Sequence, residues 1–275
     1  MSQKPKIISN EVISKIEIEL GKIKDGEKRR RVTRFIIAAL SAIPWIGGFL
    51  SASSSAHAEV EQSKVNDIYE LWLQEHDNKI TELGKTIADI LSRFDSFGDR
   101  INQRLESDEY LELVRKGFRI WDKSDTDDKR DFIRKLLANS VATTLCSDDV
   151  IRLFLDWIEK YHESHFYVIK FIYQNKGITR GQIWDKIYPS RPREDSAEAD
   201  LYKLLFRDLS TGGVIRQYRP VDYQGNYIKK SKPRKSSSTK NMKSAFDNIE
   251  PYELTKLGSQ FVHYCMEDVV PQIEK

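Results

Sequence analysis

The sequence predicts a mainly α chain: a helical N-terminal region carrying an apolar segment and a long coiled-coil-like helix, followed by a smaller α+β domain. Three observations carry this. Apolar residues recur at steps of three and four through most of the first 163 positions. Short starts such as "SDE", "TDD" and "SDD" precede several of these stretches, placing a capping hydroxyl and acids where helix N-termini want them. Strand-like alternation is confined to the last third, in "VIRQYRPVDYQGNYIKK". At 275 residues and 32.1 kDa the chain has room for two domains, each with its own core.

Residues 1–34 open with an amphipathic pattern, Val12, Ile13, Ile16, Leu20 and Ile23 sharing one helical face, and end in a basic flank of Lys28, Arg29, Arg30, Arg31 and Arg34. The apolar segment follows at 35–58, with Phe35, Ile36, Ile37, Leu40, Ile43, Pro44, Trp45, Ile46, Phe49 and Leu50 at its centre. Phe35 to Leu50 is 16 residues, or about 24 Å as a helix, short of a hydrocarbon core of about 30 Å. Pro44, Gly47 and Gly48 also break its middle. A broken membrane-type segment is one reading, its basic flank resting on anionic headgroups and keeping the N-terminus cytoplasmic. A helix buried in the protein's own bundle, or in an oligomer, is the other. A cleaved leader is disfavoured despite the small-x-small form of Ala56-His57-Ala58, because 34 residues precede the apolar run.

Residues 59–106 read as one long helix. Leu73, His76, Ile80, Leu83, Ile87, Ile90, Phe94, Phe97 and Ile101 alternate three- and four-residue steps, a heptad seam suited to self-association or to folding back within the chain. Residues 107–163 form a helical domain of three shorter helices, with Leu111, Val114, Phe118 and Trp121, then Phe132, Ile133, Leu136, Leu137 and Val141, then Ile151, Phe154, Leu155 and Ile158 on their apolar faces.

The C-terminal domain, 164–275, changes character. "HFYVIKFIYQNKG" is a helix with Phe166, Ile169 and Ile172 inward, stopped by Gly177. Thr179 and Gln182 have capping-box spacing at the start of a second helix, with Ile183 and Ile187 inward. A third places Leu201, Leu204, Leu205 and Leu209 inward and ends at Gly212-Gly213. A hairpin turning at Gln224-Gly225-Asn226 follows, then a short strand, then a last helix capped by Thr255. Three helices, a hairpin and the closing "ELTKLG" step resemble the winged helix-turn-helix superfamily over roughly Ser164 to Met266. The resemblance implies a fold, and either DNA reading or protein docking. More loosely, the whole chain resembles uncharacterised bacterial proteins related to the abortive-infection alpha family, which implies a place in phage defence and no catalytic residue.

Charge separates these options. Residues 1–163 hold 26 basic and 29 acidic groups, residues 164–275 hold 19 and 13. Yet Glu194, Asp195, Glu198 and Asp200 crowd the start of the third helix, the end that enters the major groove in DNA readers, where they would repel phosphates. The wing is basic instead: Lys229, Lys230, Lys232, Arg234 and Lys235 make a strip able to meet a nucleic-acid backbone without reading sequence, or an acidic partner or lipid, or simply a solvated loop. His162 and His165 share a helix face, but a lone HxxH is a weak metal signal. Cys146 and Cys265 lack both CxxC spacing and a nucleophile context, and with two cysteines no disulfide framework forms. No catalytic residue, metal or cofactor is expected. The expectation is a non-enzymatic bacterial protein, cytoplasmic and peripheral to or inserted in the inner membrane, self-associating, whose C-terminal domain senses or docks a partner while the apolar segment acts on lipid. The alternatives are a DNA-binding regulator with an apolar dimer core and a soluble protein-interaction adaptor.

Overall fold

The computed structural model describes residues 26–44, 46, 79, 81–94, 101–142, 145–228 and 244–267, and every structural statement below concerns these. The fold is mainly helical with one small two-stranded sheet. The chain divides into two compact units, Met1–Lys160 with Tyr264–Lys275, and Tyr161–His263.

In the first unit, α1 spans Gly26–Ser41, α2 runs over residues 81–94, and α3 (Asn102–Glu106), α4 (Asp108–Lys123), α5 (Asp127–Ala142) and α6 (Asp148–Lys160) follow. α4 starts where the sequence pattern puts it. The Ser107 hydroxyl accepts from the Tyr110 N–H, and Asp108 and Glu109 complement the first turn. α4 is the hub, packing on α1, α5 and α6. Phe118 and Trp121 are fully buried, and the Tyr110 hydroxyl donates to the Leu137 carbonyl at 3.0 Å, so a buried phenol keeps a partner.

The apolar segment enters this core. Phe35 packs edge-on against Phe94 (5.3 Å between ring centres) and Phe118 (6.3 Å), and Val32, Ile36, Ala38, Ala39, Ala42 and Ile43 are buried beside it. Ile37, on the opposite face, is 61% exposed. Leu40 and Ile46 are half-buried and Pro44 is exposed; Trp45, Phe49 and Leu50 lie outside the described residues. The basic flank is partly spent on the chain's own acids. Arg31 Nε donates to Glu106 at 2.7 Å, and Arg34 pairs with Asp108 at 3.2 Å and donates to the Glu106 carbonyl. Arg30 is exposed, and Lys28 and Arg29 belong to α1 with side chains outside the described set. Among the described residues no helix is long and apolar enough to cross a membrane.

The seam also faces inward. Leu83, Ile87, Ile90 and Phe94 of α2, and Ile101 just before α3, are all buried, which is the fold-back form of the heptad pattern at these positions. Ile80 and Phe97 lie outside the described residues.

In the second unit, α7 (Glu163–Gln174), α8 (Arg180–Ile187) and α9 (Ala197–Thr211) precede β1 (Ile215–Gln217), β2 (Tyr252–Leu254) and α10 (Lys256–Cys265). The Thr179–Gln182 capping box forms in both directions. β1 and β2 are antiparallel, Ile215 opposite Leu254, and an isolated bridge joins Thr179 to Pro251, with the Tyr252 N–H donating to the Ile178 carbonyl.

Two sequence expectations change here. The hairpin around Gln224-Gly225-Asn226 is reduced to a single bridge, Val221 to Tyr227, and β1 pairs instead with β2, some 35 residues further on. Pro220 explains the break, because it supplies no N–H for a continuing ladder. The turn itself forms, with Gly225 at φ 84° and the Asp222 carboxylate accepting from the Gln224 and Asn226 N–H groups. The second change is in α9, whose buried face is Ala199, Tyr202, Leu205, Phe206 and Leu209. Leu204 is half-buried and Leu201 is 54% exposed. The two aromatic side chains occupy the space that an all-leucine face would have filled.

Candidate docking groove

Rotating α9 to bury its aromatics turns Leu201 outward, and it lands in a groove. α7 contributes Ser164, Tyr167 and Val168, α8 contributes Trp184 and Ile187, and the loop after α8 contributes Tyr188, Pro189, Ser190 and Pro192. α9 supplies Glu198, Leu201, Tyr202 and Leu205. The cavity holds about 310 Å³. Tyr167 and Tyr188 are each about half exposed, so with Leu201 they form an apolar rim that water covers at a cost.

The floor is fixed. The Trp184 ring lies 4.3 Å from Tyr188, 5.0 Å from Tyr202 and 4.9 Å from Phe246, and its N–H donates to the Ser190 carbonyl at 2.8 Å. The Tyr202 hydroxyl donates to the Arg180 carbonyl at 2.6 Å, and burial lifts that phenol far above its ordinary range. The loop after α8 is clamped by a two-point Arg191–Asp185 pair at 2.9 and 2.6 Å, which holds the Asp185 carboxyl below its usual value.

The acids at the start of α9 divide by role. Glu194 accepts from the Ala245 N–H at 2.9 Å and from the Ser244 hydroxyl, so it ties the segment leading into β2 to the start of the helix. Partial burial pushes its pKa up, but these bonds and Lys203 outweigh that and hold it below the ordinary value. Asp195 pairs with Arg193 at 2.8 Å. Glu198 is free of any such pairing; its own backbone N–H and the Ser196 hydroxyl keep it ionised, and it is the one charged residue lining the groove.

The connection after β1 presents a second surface. Arg216 donates to the Tyr227 hydroxyl and to Glu253, both at 2.7 Å, and Arg219 lies over the Tyr227 ring at 5.8 Å. Tyr223 is 95% exposed at the turn. The sequence-derived strip Lys229, Lys230, Lys232, Arg234 and Lys235 lies outside the described residues. A wider hollow of about 600 Å³ between the end of α7 and β2 is lined by both Lys176 and Glu253, so its charge favours no single kind of ligand.

His165 is buried, stacked 5.0 Å from Tyr161, and accepts from the His162 backbone N–H through Nδ1 at 3.2 Å; it works as part of the start of α7. Among the described residues no group of three or more His, Cys, Asp or Glu side chains is placed to hold a metal ion. No family model, curated protein or solved structure matches the chain.

The sequence reading missed the groove. Its signals were a Trp184–Tyr188 pair four apart and two prolines bracketing the next loop, but Leu201 counted as core because periodicity cannot distinguish two adjacent apolar faces of one helix.

Proposed function

We propose that this chain is a non-enzymatic adaptor whose C-terminal unit is a winged-helix module that docks another protein through the groove of α7, α8 and α9. The order helix, edge bridge at Thr179, helix, helix, strand, long connection, strand supports the winged-helix reading. The observation that carries the docking reading is Leu201, exposed between two half-exposed tyrosines on the face of α9 that a DNA reader would make basic or amide-rich. Glu198 and Asp200 in the first turn of α9 weigh against phosphate at that end. The bilayer-acting reading asks α1 to withdraw Phe35, Ala39 and Ile43 from the first unit's core, so the packed-helix reading is the better supported of the two.

Peptide display against the full chain, counter-selected on Leu201→Asp, tests the proposal. Enriched peptides that bind the wild type and not the variant are expected. No enrichment, together with low-salt DNA binding lost on Arg216→Ser and Arg219→Ser, would replace docking by backbone contact through the wing.

A further inference from the structure

Resting on the docking reading, we propose that the occupant of the groove is a short extended segment of a partner protein, rich in proline or aliphatic residues and carrying a Lys or Arg at the Glu198 end.

Size sets the first limit. At about 310 Å³ the cavity is at the small end of ordinary ligand pockets, about 300–1,000 Å³. It takes a few side chains rather than the full face of an amphipathic helix. Polar chemistry sets the second. Tyr167, Tyr188, Ser164 and Ser190 line the groove, and their hydroxyls make no hydrogen bond to a described residue. A helix has little use for such donors along its flank, because its carbonyls are already bonded internally. An extended or polyproline segment leaves its carbonyls open, and proline rings lie well on aromatic faces of the Trp184–Tyr188 kind.

Charge sets the third. The lining residues include one formal charge, the Glu198 carboxylate, while Lys170 and Lys186 on the adjoining helices lie outside the lining. A cation on the segment meets an unneutralised acid there, and an anion meets repulsion.

The test uses the full chain and three labelled peptides of about twelve residues, followed by fluorescence anisotropy. One is proline-rich with a single Arg near one end, the second has Glu in place of that Arg, and the third is a Leu/Lys amphipathic helix former. The first is expected to bind most tightly, to lose at least tenfold on Leu201→Asp, and to weaken roughly two- to fivefold on Glu198→Gln, the range of an exposed charge pair. The second peptide is expected to bind more weakly and to ignore Glu198→Gln. Both substituted positions are exposed, and circular dichroism checks that the variants fold. Equal binding of the Arg and Glu peptides, or tighter binding of the helix former, overturns this occupant. If that tighter binding is itself lost on Leu201→Asp, docking at the groove stands and only the chemistry assigned to the partner falls. If no peptide binds in a Leu201-dependent way and the display selection is also empty, both fall.

Discussion

Thr255 and Gly258 show how much one short step can hold. The Thr255 hydroxyl donates to the Gly213 carbonyl at 2.6 Å and accepts from the Gly258 N–H at 2.9 Å, so one oxygen caps α10 and secures the start of β1. A Cβ on Gly258 would sit 2.1 Å from the Val214 carbonyl oxygen, a backbone atom with nowhere to go. This is why the "ELTKLG" step needs threonine and glycine three apart. Thr255→Ala is expected to cost about 1 kcal/mol by urea denaturation, and Gly258→Ala about 1–3 kcal/mol. Equal stability of Gly258→Ala and wild type would show that the two segments separate freely. The cap was legible in the sequence, since Thr255 opens an apolar-periodic run. The exposure of Leu201 was not, because it depends on Tyr202 and Phe206 finding Trp184, Phe246 and Tyr252 from other elements.

At the scale of elements, α1 carries the sharpest test. Its buried and exposed faces are set by the fold, so Phe35→Ala is expected to cost about 3–5 kcal/mol, while Ile37→Asp shifts stability by no more than about 0.5 kcal/mol. A helix seated in lipid reverses the second expectation, because a charge near the middle of a hydrocarbon core costs about 2.5–3.5 kcal/mol wherever it points outward. Thermal unfolding and vesicle flotation of Ile37→Asp therefore separate a packed α1 from an inserted one. The heptad pattern located the apolar face of α2 correctly at Leu83, Ile87, Ile90 and Phe94. It left the covering partner open for a physical reason: a period fixes which side of a helix shuns water, and says nothing of whose side chains do the covering. Phe35 supplies part of that cover at Phe94.

For the molecule as a whole, acid and chain order are the two handles. In the second unit, Asp185 is lowered by its Arg191 pair, Asp222 by the N–H groups of its own turn, and Glu194 by bonds that outweigh its burial. A carboxyl lowered in the folded state stabilises fully above its unfolded value and loses that contribution as pH falls through the folded one. The melting temperature is thus expected to be level near neutrality and to decline below about pH 4.5, with a shallower decline in Glu194→Gln. An identical acid profile for that variant would remove Glu194 from the account. The first unit depends on the chain's return at Tyr264. The buried Asn139 amide donates to the Tyr264 carbonyl at 2.8 Å, the Tyr264 ring lies 6.3 Å from Phe154, and Cys265 is fully buried. Truncation after His263 is expected to destabilise that unit by at least the about 1–3 kcal/mol of an orphaned buried amide, read as earlier unfolding of the Trp121 environment.

That return gives synthesis a timetable. Tyr264 is made only after all of Tyr161–His263, so at roughly 5–20 residues per second the Asn139 amide waits about 6–25 s for its acceptor. Through that interval Tyr161–His263 is itself still being made, so the groove-bearing unit gains its last residue only one position before Tyr264, and the two units become complete at nearly the same moment.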